Sequence, residues 1–260
     1  MDRQRVRPLG EQIRHWRQQR RLSQMDLALD AEISTRHLSF IETGRAQPSR
    51  EMVLLLAEQL EVPLRERNAM LLGAGYAPVY AERSLDDPQL AAARRAVELV
   101  LKGHEPFPAI AIDRHWHMIA ANAAVAPLLD GVAPFLLQAP VNVLRLSLHP
   151  DGLASRILNL GEWRGHLLER LRRQAWLTSD PALAALLDEL CGYPSAEGAG
   201  EIDGFGEVAV PLRLESPLGE LRFFSTTTVF GTPRDVTLDE LAIEAFFPAD
   251  EETLARLSAR

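Results

Sequence analysis

The stretch from Ser23 to Gly44 constrains the fold of this 260-residue chain more than any other. Its apolar residues recur at helical spacing in two short groups, which the tripeptide Glu32-Ile33-Ser34 separates. Ser23 and Ser34 are of the residue type that caps helix N-termini, and Gly44 supplies a left-handed stop. The pattern predicts two short amphipathic helices joined by a tight turn.

Two helices this short cannot bury their apolar faces alone, so flanking helices must cover them. Apolar faces over residues 9–20, 49–60 and 64–74 predict three such helices, which gives an all-α N-terminal domain of five helices. In that arrangement the start of one helix, Thr35-Arg36-His37, faces outward. A helix-turn-helix places a helix in the DNA major groove in this way.

The segments RRLSQMDLA and STRHLSFIETGRAQPS resemble the xenobiotic-response-element (XRE) family, whose fold is that of lambdoid phage repressors and Cro. The resemblance covers residues 9–73 and implies a lambda-repressor-like fold with an Arg17–Glu42 ion pair between the first and third helices. The positions implied to contact DNA are Gln24 at a phosphate, Thr35, Arg36 and Phe40 at base edges, His37 and Ser39 beside them, and Arg45 and Arg50 at backbone phosphates. Arg14, which faces outward on the first helix, joins them as a phosphate contact. The alternative is a helical bundle that binds only protein, as some antitoxins of this fold do.

Charge is distributed unevenly along the chain. The net charge is −8, yet residues 1–75 carry a net charge of +2 and the remainder −10. Phosphate attraction acts over a Debye length of about 8 Å, so an acidic distal domain does not prevent DNA binding. Arg3, Arg5 and Arg7 form a basic arm, which either contacts DNA or is a solvated tail.

The chain exceeds one helix-turn-helix domain by enough residues to require a second domain. We expect a DNA-binding domain over residues 1–75, a linker and connecting helix over 76–104, and a second domain over 105–260. Asp87 and Pro88 begin the connecting helix, which extends to Lys102 and is either a spacer, a dimer contact or part of the second domain.

The second domain mixes strands with helices. Alternating apolar residues predict strands over 110–112, 116–120, 207–214, 219–230 and 239–247. Helices are predicted over 141–147, 153–160, 162–177, 181–190 and 250–257, and Asn122 is expected to cap a further short helix that ends near Gly131. A hairpin that leads into an Asn-capped helix looks like the opening of a PAS-type sensor. The expectation is an α+β, PAS-like domain with an antiparallel sheet covered by helices.

The segments AIDRHWHMIAAN, NVLRL and DPALAALLDEL are similar to the C-terminal ligand-binding domain of MmyB-like regulators. That resemblance implies a PAS-like domain that can enclose a fatty acid or similar apolar molecule. The candidate ligand-binding residues are Trp116, Asn122, Asn142, Arg145, His149 and Trp163. The guanidinium of Arg145 would suit a ligand carboxylate. Alternatively, Arg145 pairs with Glu162 or Asp151, and His149 caps a turn.

Three other features suggest chemistry only weakly. His115 and His117 could hold a metal, but no third ligand of suitable spacing is evident, so no metal site is expected. Cys191 is expected to be a packed core thiol. Ala74-Gly75 resembles the cleavage site of self-cleaving repressors, but Lys102 is the only lysine and precedes every predicted strand, so a Ser–Lys dyad is not expected. No catalytic motif is present, and no enzyme activity is expected.

Together these patterns predict a cytoplasmic one-component transcription regulator, a repressor that binds operator DNA as a homodimer and senses a small apolar or carboxylate-bearing ligand such as a fatty acid. No stretch is long and apolar enough to predict a signal peptide or a membrane span. Two alternatives remain open at this point: a purely structural C-terminal dimerisation domain, and an antitoxin-like module that binds DNA and protein.

Overall fold

The helix caps at the N-terminus form as the sequence predicts. In the computed structural model, which describes residues 7–194 and 210–259, Ser23 and Asp26 make a reciprocal capping box at the second helix. The side chains of Ser34 and Ser49 accept hydrogen bonds at the starts of the third and fourth helices. The five helices are α1 (Leu9–Gln19), α2 (Gln24–Asp30), α3 (Thr35–Glu42), α4 (Arg50–Gln59) and α5 (Leu64–Gly73).

One apolar core holds these helices together. Ile13, Leu27, Leu38 and Leu56 are among its fully buried members. Gly10 is required where α1 meets α3, because a Cβ there would lie 2.4 Å from the carbonyl oxygen of Glu42. The close approach of the two helices therefore depends on a residue without a side chain.

A distant segment of the chain belongs to the same folding unit. Residues 1–83 and 232–239 form one unit, here the helical unit, and residues 84–231 and 240–260 form the other, here the sheet unit. Within the helical unit, Arg83 pairs with buried Asp235 at 2.7 Å, and the backbone N–H of Leu64 donates to Asp239 at 3.1 Å. A short helix, α10 (Val236–Asp239), completes this segment. The division differs from the predicted boundaries at residues 75 and 105, because the connecting helix belongs to the sheet unit.

The sheet unit is built on an antiparallel sheet. Its described strands are β1 (Ala109–Ile112), β2 (Met118–Ala121), β3 (Leu212–Ser216), β4 (Gly219–Val229) and β5 (Ala242–Pro248), in the order β2-β1-β5-β4-β3. The helices of the unit are α6 (Ala91–Gly103), α7 (Val143–Leu148), α8 (Leu160–Thr178), α9 (Pro181–Cys191) and α11 (Glu251–Ser258). Strand β1 is buried throughout, and its side chains alternate between two cores. Ile110 and Ile112 join the core with α8 and α9, whereas Ala109 and Ala111 join the core with α6. The predicted α+β class with an antiparallel sheet is confirmed.

Three local predictions in the sheet unit were wrong. The predicted helix over 153–160 is only a 3-10 turn at Ala154–Arg156. Strand β3 begins at Leu212 rather than 207, and residues 207–209 lie outside the described part. Asn122 caps no helix. It is buried, accepts from the backbone N–H of Ala109 and donates to the carbonyls of Leu101 and Phe107.

Among the described residues, no helix is long and apolar enough to cross a bilayer.

Replacing Asn122 by Ala should destabilise the sheet unit by about 2–3 kcal/mol, because one buried N–H and two carbonyls lose their partner. Urea unfolding of the full chain measures this. Gln138→Ala, at an exposed position, is the control and should change the free energy of unfolding by less than about 0.5 kcal/mol. Equal effects of the two substitutions would contradict the structural role of Asn122.

Candidate nucleic-acid interface and ligand cavity

The first turn of α3 faces solvent. Thr35 and Arg36 are exposed, whereas Leu38 and Ile41 on the opposite side of the helix are buried in the core. The helix therefore presents its N-terminal side chains outward and anchors itself through its second half. This placement agrees with the one that the sequence predicts for base-contacting residues.

A buried carboxylate fixes the far end of α3. The side chain of Glu42 has no exposed surface and accepts two hydrogen bonds from Arg17, at 2.7 and 3.0 Å. Gln24 donates to it at 2.7 Å, and Arg14 lies 3.5 Å away. Burial opposes ionisation of Glu42, but the hydrogen bonds from Arg17 and Gln24 outweigh burial and lower its pKa. One ionised carboxylate thus links α1, α2 and α3, and the Arg17–Glu42 pair implied by the family resemblance is present.

The side-chain amide of Gln24 is bound to Glu42 and so braces α3 from within the protein. Its phosphate contact remains a prediction. The other predicted DNA contacts lie around α3 as follows: His37, Ser39 and Phe40 are partly buried, and Arg14, Arg45 and Arg50 are exposed. The guanidinium of Arg36 lies 5.3 Å from the centre of the Phe40 ring, within cation–π range. Arg7 is exposed, and Arg3 and Arg5 lie outside the described residues.

The sheet unit encloses a cavity of about 110 Å³. Its wall is mainly apolar, with a few polar side chains. Two of the predicted ligand-binding residues, Trp116 and Trp163, line it. The remaining lining residues are Pro108, Ile110, Met118, Val125, Leu128, Leu129, Val143, Leu144, Leu146, Ser147, Leu153, Leu167, Arg170, Leu212, Leu214, Phe223, Ser225, Glu244 and Phe246.

An ion pair forms the polar part of this wall. Arg170 on α8 pairs with Glu244 on β5, which is buried and also accepts from the hydroxyl of Thr227 at 2.9 Å. The guanidinium of Arg170 lies 4.7 Å from the centre of the Trp116 ring. Burial, with the charge of Arg170, lowers the pKa of the neighbouring His166, so this imidazole is neutral near pH 7. The cavity therefore has one ion pair, Arg170–Glu244, in an apolar surrounding.

Four predicted ligand-binding residues are engaged elsewhere. Asn122 holds the backbone of the sheet, and Asn142 caps α7 by accepting from two backbone N–H groups. Arg145 makes two hydrogen bonds to Glu189, at 2.8 and 2.7 Å, rather than pairing with Glu162 or Asp151. His149 stacks edge-on against Phe135 and Tyr193. None of these four is among the described side chains that line the cavity.

Arg170 and Glu244 were not predicted as site residues, although each has a recognisable position in the sequence. Trp163, Leu167 and Arg170 are spaced by four and three residues, which places them on one face of α8. Glu244 interrupts the apolar run of β5, and a charged residue within a buried strand calls for a partner. Their pairing joins residues 74 positions apart, which no local pattern could reveal. Cys191 was also misplaced, since its side chain is exposed rather than packed in a core.

Comparison with known proteins gives two matches along the chain. Residues 93–259 match the family model described as MmyB-like transcription regulator ligand binding domain. Residues 8–70 match the model of a helix-turn-helix domain. No curated protein matches the chain. The first match includes every described strand and most of α6, and the second includes α1 to α4 and the greater part of α5.

The Glu42 network predicts a pH-dependent stability of the helical unit. The folded pKa of Glu42 lies below its ordinary value of 4.5, so the ionised carboxylate stabilises the fold above that value. This stability is lost as the pH falls through the lower folded pKa. Glu42→Gln should cost about 3 kcal/mol at neutral pH and should flatten the pH dependence, because it leaves Arg17 without its anionic partner.

Thermal unfolding of the full chain between neutral pH and about pH 2 measures both effects, because this range extends below the ordinary pKa of a glutamate. Glu58→Gln, at an exposed position on α4, serves as the control and should leave the profile unchanged. A Glu42→Gln variant as stable and as pH-dependent as the unsubstituted chain would refute the anchoring role.

Proposed function

The chain belongs to the family defined by the MmyB-like transcription regulator ligand-binding domain, and on that premise we propose that it is a ligand-controlled repressor acting as a homodimer on operator DNA. The two family matches directly support a transcription regulator that has a DNA-binding helix-turn-helix and a ligand-binding domain. The repressor role, the dimer, the PAS-like character and the nature of the ligand are our proposals. We assign no catalytic activity to the chain.

The exposed first turn of α3 supports the DNA-binding part of the proposal. Thr35 and Arg36 are exposed, and we assign them to the major groove; Arg45 and Arg50 are also exposed, and we assign them to phosphates beside it. A single α3 offers few base contacts. Sequence-specific binding therefore calls for two copies on half-sites about one helical turn apart.

The cavity in the sheet unit supports the ligand-binding part of the proposal. Its apolar wall suits the hydrocarbon body of a molecule such as a fatty acid, and the carboxylate of that molecule would share the Arg170 guanidinium with Glu244. Its volume of about 110 Å³ is near the roughly 150 Å³ of cavities that hold one benzene-sized molecule. A short acyl chain fits that space, and a longer one requires lining side chains to move.

The small cavity volume also favours a second candidate, in which the sheet unit is a structural dimerisation domain. A sensor is expected to enclose several hundred Å³, more than this cavity provides. The two candidates differ in whether a molecule binds at Arg170.

Chain connectivity suggests how binding could influence DNA affinity. Residues 232–239 belong to the helical unit and start three residues after β4 ends, and β5 begins three residues after the segment ends. Both strands contribute cavity-lining residues, among them Ser225 on β4 and Glu244 on β5. We propose that a ligand which shifts these strands favours one of two arrangements of the dimer and so changes its DNA affinity by population shift.

Arg36→Ala should weaken binding to the preferred duplex by about 1–3 kcal/mol and reduce discrimination between sequences, because a base-edge contact is lost. Arg14→Ala should weaken binding to all duplexes by a similar factor, since a phosphate contact carries no sequence information. Fluorescence anisotropy with a selected duplex and a scrambled one measures both. Arg95→Ala, at an exposed position on α6, is the control. Unchanged DNA affinity in the Arg36 variant would count against α3 as the recognition helix.

Octanoate should bind the purified chain, and Arg170→Met should weaken this binding at least about tenfold by removing the carboxylate partner. Arg145→Met is the matched control, because that arginine pairs with Glu189 and does not line the cavity. Calorimetry gives the affinities, and native mass spectrometry reveals any molecule that purifies with the chain. An equal loss of octanoate affinity in the Arg170→Met and Arg145→Met variants would favour a structural dimerisation domain. The same conclusion would follow if bound octanoate left the DNA affinity unchanged.

A further inference from the structure

The turn between β1 and β2 is held in one shape by Asp113. Its Oδ1 atom accepts hydrogen bonds from the backbone N–H groups of His115 and His117, both at 2.8 Å. Trp116, between the two histidines, has a φ of +66°, which is unusual for a bulky residue. The Trp116 indole is buried and donates to Gln174 at 2.7 Å, which secures this conformation. The two imidazoles are thereby fixed on either side of a buried side chain.

Three potential metal ligands meet at this turn. One ligand atom from each of Asp113, His115 and His117 lies within 4.8 Å of the others. The Oδ2 atom of Asp113, which the backbone contacts leave available, is 3.0 Å from Nδ1 of His117. Two ligands of one tetrahedral zinc ion, with bonds of about 2.0–2.2 Å, are separated by roughly 3.3 Å. All three side chains are about one-third exposed, so they can adjust and an ion can enter.

A buried carboxylate orients His115. Asp180 Oδ2 lies 2.9 Å from Nε2 of His115, and Asp180 itself is held by Arg114 and caps α9. Because this contact occupies Nε2 of His115, Nδ1 is the ring nitrogen left for a metal ion. Metal-binding histidines commonly have such a carboxylate behind them.

The charges around the turn also favour a cation. Asp113, Asp180 and Glu240 supply three carboxylates, and Arg114, which bridges the last two, supplies one positive charge. The Nε atom of Arg114 lies 3.2 Å from His115 Nε2, but the terminal nitrogens of this guanidinium are committed to Asp180 and Glu240. The local balance therefore remains negative.

We propose that Asp113, His115 and His117 bind one divalent transition-metal ion, with zinc as the best-matched ion. Two imidazoles and one carboxylate favour zinc, cobalt or nickel over magnesium or calcium, which prefer all-oxygen sites. Three protein ligands leave a fourth position for water or a further ligand. In the sequence, His115 and His117 had no evident third metal ligand. The turn supplies it in Asp113, two residues before the first of them.

Zinc titration of the metal-stripped full chain by calorimetry tests the site, with one saturable ion per chain expected. Asp113→Asn is the sharpest variant, because the amide oxygen can still accept the two backbone hydrogen bonds while the anionic ligand is lost. This variant and His117→Gln should each weaken zinc binding by more than about tenfold. The thermal midpoint of each metal-free variant shows whether it is folded.

The matched control is the double variant His149→Gln, Asp151→Asn. This histidine–aspartate pair lies in the same unit, with Nδ1 and Oδ2 3.9 Å apart, and it belongs to no group of three potential metal ligands among the described residues. Its zinc affinity should equal that of the unsubstituted chain. X-ray absorption of the unsubstituted, zinc-loaded chain should show imidazole scattering from two ligands, whatever the stability of the variants. Absence of saturable binding, equal binding by Asp113→Asn, or a coordination shell without imidazole would overturn the proposal.

Discussion

The buried carboxylate of Glu42 is the interaction on which the DNA-binding half of the protein depends. It receives hydrogen bonds from Arg17 on α1 and Gln24 on α2, so three helices meet at one charged group. An unpaired buried charge is costly, and the alternative packings that would separate these groups are therefore excluded. The exposed turn at Thr35 and Arg36 owes its fixed direction to this anchor at the other end of α3.

Arginine–carboxylate pairs recur wherever the fold holds a functional or connecting segment. Arg170 and Glu244 place a charge in the cavity wall, Arg114 and Asp180 support the β1–β2 turn, and Arg83 and Asp235 retain residues 232–239 in the helical unit. In each pair the carboxylate is buried and the arginine is partly exposed. Such pairs contribute more to specifying geometry than to net stability, because desolvation offsets much of their attraction.

The parts of the fold that local patterns determine could be predicted from the sequence. Serine caps defined α2 and α3, and period-two alternation located β1, β4 and β5 to within a few residues. The helical spacing of apolar residues also predicted that Thr35 and Arg36 at the start of α3 face solvent. What could not be predicted depends on partners far apart in the chain: the Arg170–Glu244 pair in the cavity, and the Arg83–Asp235 pair across 152 residues. Arg145 misled the prediction because a surface glutamate 44 residues away pairs with it.

The central claim is that the exposed start of α3, held by Glu42, contacts DNA bases. It is tested most directly by titrating the full chain into a duplex selected for binding, at a series of salt concentrations, with a scrambled duplex alongside. We expect saturable binding whose log K falls linearly with the logarithm of the salt concentration, and a preference for the selected duplex of at least about a thousandfold. Failure to bind either duplex at low salt, or equal affinity for both, would contradict it.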